Sequence, residues 1–310
     1  MHSKFSTRRE IHNLLLILFV LSISSCHAAT APEPSVATEP FEYPIWFWNS
    51  PTVNNLPVAV GYAPTSQFRT ESSVESATRD GLEQLAKHIN VRIRGERISI
   101  NQRQAQDFRE EVPRSAQQVA ADKHRILAIH RTPTVTIIFL GLGELGNFSD
   151  QKRLSPQVMQ KPVWIEASPQ QKGYLYGHGH CNPRYRQESG WRTAEHNARI
   201  ELALNFQSRV RHLFKRFNAQ VQSVLSTQTD VLLTGIEIVA RWFDSGSQIY
   251  HVLVRAPIAQ NETTVRQLWQ NLMPQSKDIS LSSQEAFIQR AFDELDQERV
   301  TDPPGNRTTD

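Results

Sequence analysis

The chain has 310 residues, 39% of them hydrophobic, and a mean hydropathy of −0.46. That length fits one large domain or two small ones, and that polarity excludes a multi-span membrane protein. The net charge of +3 comes mostly from an N-terminal segment where Lys4, Arg8 and Arg9 oppose only Glu10. The rest is close to neutral and gives no case for nucleic-acid binding.

In chain order, residues 1–25 read as an export signal: a basic start, an apolar core from Leu14 to Leu21, then small residues. The apolar run is too short to span a bilayer comfortably. Its end, Ile23-Ser24-Ser25-Cys26, resembles the bacterial lipobox, so Cys26 is the expected lipid-bearing first residue of the mature chain. The alternative is plain secretion, with cleavage after Ala28 or Ala29. His27 follows the cysteine where inner-membrane lipoproteins of enteric-type bacteria carry aspartate, so the lipobox resemblance implies the outer membrane. With Cys26 lipidated, Cys181 is the one cysteine left, and no disulfide within the chain is available. Residues 26–43, rich in Ala, Pro, Thr and Glu, have little to bury and read as a flexible tether.

Beyond the tether the sequence repeats itself. Pro44, Trp46, Ser50-Pro51 and Gly61 recur as Pro162, Trp164, Ser168-Pro169 and Gly179, at an offset of 118. Glu71-Ser72, Ala77 and Leu85-Ala86 recur as Glu188-Ser189, Ala194 and Leu202-Ala203, at an offset of 117. Each copy opens Pro-x-Trp, turns at Ser-Pro, and enters a short strand, Val58 to Ala63 in the first. A helix follows. Ser72 and Glu75 form a capping box, and Val74, Ala77, Thr78, Leu82, Leu85 and Ile89 share one face. The second helix continues that face through Trp191, Ala194, Ala198, Leu202, Phe206, Val210, Leu213 and Phe217. Ser189 is its candidate cap, and Arg192 stands where the capping-box glutamate would be.

Hairpins close both copies. In the first, "HRILAIH" and "TVTIIFLGL" flank "RTP"; in the second, "VLLTGIEIVARWF" and "QIYHVLVRAP" flank "DSGS". Asn90 to Ile100 is a candidate extension of the first sheet, and "NQRQAQDFREEVPRSAQQVAAD" after it is a solvated helix or a long loop. The fold class is therefore α+β: two tandem β-α-β-β repeats at 44–160 and 161–262, each an antiparallel sheet covered by a helix. Residues 263–310 add C-terminal helices and a disordered tail. In "TTVRQLWQNLM" and "SSQEAFIQRAFDELDQER", Ser282 and Glu285 form a further capping box, and Phe287, Ala291, Phe292 and Leu295 form a docking stripe.

Pro44, Trp46, Gly61, Ala63, Ala77, Leu85, Ala86, Arg241, Trp242 and Asp244 together resemble the Lpp-twenty family of bacterial lipoproteins, over most of residues 44–258 in two copies. Copy two departs by placing His178-Gly179-His180 in the strand, and copy one lacks the Arg-Trp-x-Asp turn. The resemblance implies a membrane-anchored, non-enzymatic protein of the outer membrane facing the periplasm. Its structural or assembly role would bring partners from the envelope or flagellar basal body, and self-association is an option.

Chemical motifs are weak. Gly141-Leu-Gly-Glu-Leu-Gly146 is a literal GxGxxG, but no apolar helix follows it, so no dinucleotide or other cofactor is expected. No catalytic motif is present, and no enzyme is expected. Arg209, Arg211, Lys215 and Arg216 are the candidate contacts for an anion or glycan, against the plainer reading of a charged helix side. The stretch "YGHGHC", Tyr176 to Cys181, aligns with "VAVGYA" and so should be a strand. Alternation then sets Cys181 with Gly177 and Gly179 on one face, and His178 with His180 on the other. The cysteine cannot join the histidines around one ion. A ligand- or metal-binding periplasmic protein using His178 and His180 is the alternative function, although no metal site is expected.

Overall fold

The computed structural model describes residues 42–51, 56–65, 70–100, 103–143, 153–154, 159–184, 186–217 and 228–272, with helical positions at 285, 286, 289 and 293. The signal segment, Cys26, most of the tether, most of the second C-terminal helix with Ser282, and the tail lie outside the described residues. All the described elements belong to one unit, Pro40–Asp310.

Two short strands, β1 (Tyr43–Pro44) and β7 (Arg153–Leu154), pair antiparallel. The first three-stranded sheet contains β2 (Val58–Pro64), β5 (His124–Arg131) and β6 (Val135–Leu142), in the order β2-β6-β5. The second contains β8 (Tyr174–Cys181), β10 (Glu237–Asp244) and β11 (Ile249–Pro257), in the order β10-β11-β8. The topology is the same. The strand before the helix pairs antiparallel with the second strand of the hairpin, Gly61 opposite Ile138 and Gly179 opposite Val252. Both hairpins also slip register near the start of their first strand, at Ile126/Ala128 and at Ile238/Ala240.

Each sheet carries its helix: α2 (Thr70–Ile89) on the first and α4 (Gln187–Phe217) on the second. Glycine makes both contacts possible. A Cβ on Gly61 would lie 1.9 Å from the Ala77 carbonyl oxygen, and one on Gly179 would lie 2.2 Å from that of Ala194. Backbone meets backbone there, and no side chain can stand between. Both helices begin earlier than the expected caps, so Ser72 and Ser189 sit inside the first turn.

Three expectations are corrected. The strand at 90–100, β3 (Asn90–Ile100), does not extend the first sheet. It is the centre of a third, β4-β3-β9, between β4 (Arg103–Glu111) and β9 (Gln228–Thr234). The polar segment after it is neither loop nor a single solvated helix. It supplies β4, where Phe108 is buried between exposed Asp107 and Arg109, and then α3 (Arg114–Lys123), which buries Ala116 and Ala120 one turn apart. The run expected as one strand from Val231 to Phe243 breaks at Gly235, whose φ of +70° turns the chain out of the extended region. β9 therefore leaves for the third sheet, and only β10 stays in the hairpin.

The layers stack α2, first sheet, α4, second sheet. Helix α4 serves both sheets, because the face of the first sheet turned away from α2 (Val60, Tyr62, Ile137, Phe139) lies in one apolar core with Trp191 and Phe206 of α4. The short helix α1 (Ile45–Trp48) fills the same layer. Trp46 stacks on Phe139 at 5.2 Å, and Phe47 meets Tyr62 and Trp191 edge-on at 5.8 and 5.3 Å. Among the buried hydrophobic residues Phe47 and Trp48 are fully covered. At the C-terminal end, α5 (Glu262–Leu272) buries Val265, Leu268 and Trp269, spaced for one helical face.

Candidate functional site

Strand β8 settles how "YGHGHC" is arranged. Gly177, Gly179 and Cys181 face α4, and Cys181 is buried there as a free thiol. The opposite face carries His178 and His180. The register places His180 opposite His251 of β11, which in turn sits opposite Trp242 of β10. A third histidine thus joins the pair from the neighbouring strand.

The rings touch. His178 Nε2 and His251 Nδ1 are 3.1 Å apart and share one hydrogen bond, with the rings stacked at 5.3 Å. The His180 ring lies 6.4 Å from His178 and 6.3 Å from His251. Trp164, from the 3-10 turn Val163–Ile165, meets His178 edge-on at 5.4 Å, and Trp242 lies 5.3 Å from His251. Burial, followed by the neighbouring histidines His178 and His180, pushes His251 down to about 4. Asp244 opposes that shift and Lys161 adds to it. Burial and then His180 lower His178 as well. Both rings are therefore neutral at neutral pH. Among the described residues, no three His, Cys, Asp or Glu side chains are already gathered around one point as metal ligands.

The packing explains why this copy holds histidines. Their counterparts Val60 and Tyr62 lie on the face of the first sheet that α4 covers, and both are buried. In the second copy Trp164 of the Pro162-Val-Trp164 turn packs against the same face at His178; His178 is half-buried and His180 exposed. Apolar residues are required at the first position, and polar ones are tolerated at the second.

A second cluster, which sequence reasoning missed, joins the copies. Arg192 of α4 pairs with Asp80 of α2 and with Glu195, and donates to the Val60 carbonyl at 2.8 Å. Glu195 is fully buried; it accepts from Arg241 at 2.9 Å and from the Tyr62 hydroxyl at 3.3 Å. Arg241 also donates to the Phe47 carbonyl at 2.8 Å. Burial alone would raise the Glu195 carboxyl, but Arg192, Arg241 and Arg199 outweigh it and hold it at about 2. Nearby, Arg199 donates to Glu110 at 2.6 Å, with Lys87 at 2.9 Å and His196 at 3.1 Å. Against the penalty of burial, that basic ring holds Glu110 well below the usual carboxylate range. One signal was available: Glu195 falls inside the apolar stripe of its own helix, beside Ala194 and one turn before Ala198.

The candidate anion contacts Arg209, Arg211, Lys215 and Arg216 belong to α4. Arg209 is exposed and Arg211 half-buried, while the side chains of Lys215 and Arg216 lie outside the described residues. Gly141 lies within β6, and the rest of the GxGxxG stretch beyond Gly143 is outside the described residues. No described helix is long and apolar enough to cross a membrane.

Residues 162–256 match the LPP20 lipoprotein family. The matched span runs from the Pro162 turn through β8, α4, β9, β10 and nearly all of β11. It covers one of the two copies in which the resemblance was expected; residues 44–160 lie outside it. Comparison with curated proteins gives no match.

Proposed function

We propose that this protein is a lipid-anchored lipoprotein of the bacterial envelope with a structural or assembly role and no catalytic activity. The match of residues 162–256 to a lipoprotein family carries this reading. The sequence adds Ile23-Ser24-Ser25-Cys26 after an apolar run, the pattern on which lipid is attached to cysteine. Acylation at Cys26 would hold the chain at the outer membrane, and the tether at 26–43 would let the body reach into the periplasm. The first copy, 44–160, is on this reading a diverged second domain of the same family. Its strand order and the contact of Gly61 with Ala77, repeated by Gly179 with Ala194, support that reading. Partners are other envelope components, with the flagellar base as one setting, or further copies of this chain.

Labelling of growing cells with radioactive palmitate tests the anchor. The expected result is label on the wild-type chain and none on Cys26→Ser. An unlabelled wild-type chain would overturn the reading.

A further inference from the structure

The outer face of the second sheet holds imidazoles in an arrangement that a structural role does not require. We infer that His178, His180 and His251 form a binding site for a borderline divalent transition-metal ion, Zn(II) or Cu(II). This goes beyond the envelope role and does not depend on the lipid anchor.

The edge between two ligands is already in place. A tetrahedral ion bonded to two imidazole nitrogens at about 2.0–2.1 Å needs those nitrogens about 3.3 Å apart. His178 Nε2 and His251 Nδ1 stand 3.1 Å apart. The shared proton lies between the two nitrogens an ion would bond. Binding would shift that proton to the far nitrogen of the ring that carries it, so that the neutral pair keeps one proton each, on His178 Nδ1 and His251 Nε2, with no net release. His180 is the third ligand. It is exposed, on the same face, and nearly equidistant from the other rings at 6.4 and 6.3 Å. Rotation of its exposed side chain brings the ring in without moving the strand. A solvent molecule would complete the set, since this face is open on the His180 side.

The surroundings favour imidazole ligation. His178 and His251 are half-buried beside tryptophan rings, which shields the pair from bulk water. Asp244 places a carboxylate in the electrostatic reach of His251, and the charge of Lys161 opposes it. Cys181 points to the other side of the strand, so the site is all nitrogen, a donor set that suits zinc and copper and discriminates against magnesium and calcium. Trp164 and Trp242 lie against His178 and His251, which provides an optical reporter.

The test is titration of the untagged full-length chain, purified in detergent, with ZnCl2 by calorimetry and with CuCl2 by tryptophan fluorescence. Stoichiometric binding of one ion per chain is expected, with quenching by copper. His178→Gln and His251→Gln should each weaken affinity at least tenfold, His180→Gln should also weaken it, and Cys181→Ala should leave it unchanged. Electron paramagnetic resonance of the wild-type copper complex counts nitrogen ligands without relying on any variant; three imidazoles are expected. Absence of stoichiometric binding, equal affinity in the His178 and His251 variants, or a copper spectrum with no imidazole nitrogen would each overturn the site.

Discussion

Glu195 is the residue on which the joint between the copies turns. It is fully buried, yet ionised, because Arg192 and Arg241 close on it from two sides. Removing one member of a buried pair leaves the other charge without compensation. Glu195→Gln keeps the shape and removes the charge, so equilibrium urea unfolding should show a loss of about 3–5 kcal/mol. The pH dependence has a definite sign. The carboxyl is held at about 2 in the folded chain, against an ordinary value of 4.5. Its stabilisation is therefore complete above the unfolded value and lost as pH falls through the folded one. Melting temperature measured from pH 5 to pH 2 should fall more steeply for the wild type than for Glu195→Gln. Exposed pairs such as Arg92 with Asp230 contribute little by comparison.

At the scale of elements, what could be read in advance followed period and turn chemistry. Both hairpins, both long helices and the strand at "YGHGHC" carry strong local patterns. Tertiary contacts decided the rest. Glu195 stands in an apolar stripe with Arg192 one turn before it, but its second cation, Arg241, lies 46 residues on and reaches it only through the tertiary fold. His251 joined the histidine pair through the register of β11 against β8, which spacing along the chain does not reveal. The third sheet was missed because β3 is paired with β9 across a separation of more than 130 residues. Ile93 and Val231, opposite one another, are both fully buried in it. Ile93→Ala should destabilise the chain by about 2–5 kcal/mol. If β3 is the shared centre, hydrogen exchange in that variant should quicken in both 103–111 and 228–234, whereas quickening in β4 alone would mean that β9 holds by other contacts.

Among the described residues, the second copy's helix packs between two sheets. This asymmetry explains how a repeated sequence came to differ. In the first copy that sheet face is core, with Val60, Tyr62 and Phe139, while in the second copy the positions matching Val60 and Tyr62 are half-buried and exposed and hold histidines. On the proposed reading, where this body sits in the cell depends on Cys26. Intact mass spectrometry of the mature protein extracted from membranes tests that most directly. The expected mass corresponds to a chain beginning at Cys26 and carrying a diacylglyceryl thioether. A mass corresponding to an unmodified chain beginning after Ala28 or Ala29 would contradict the lipoprotein reading.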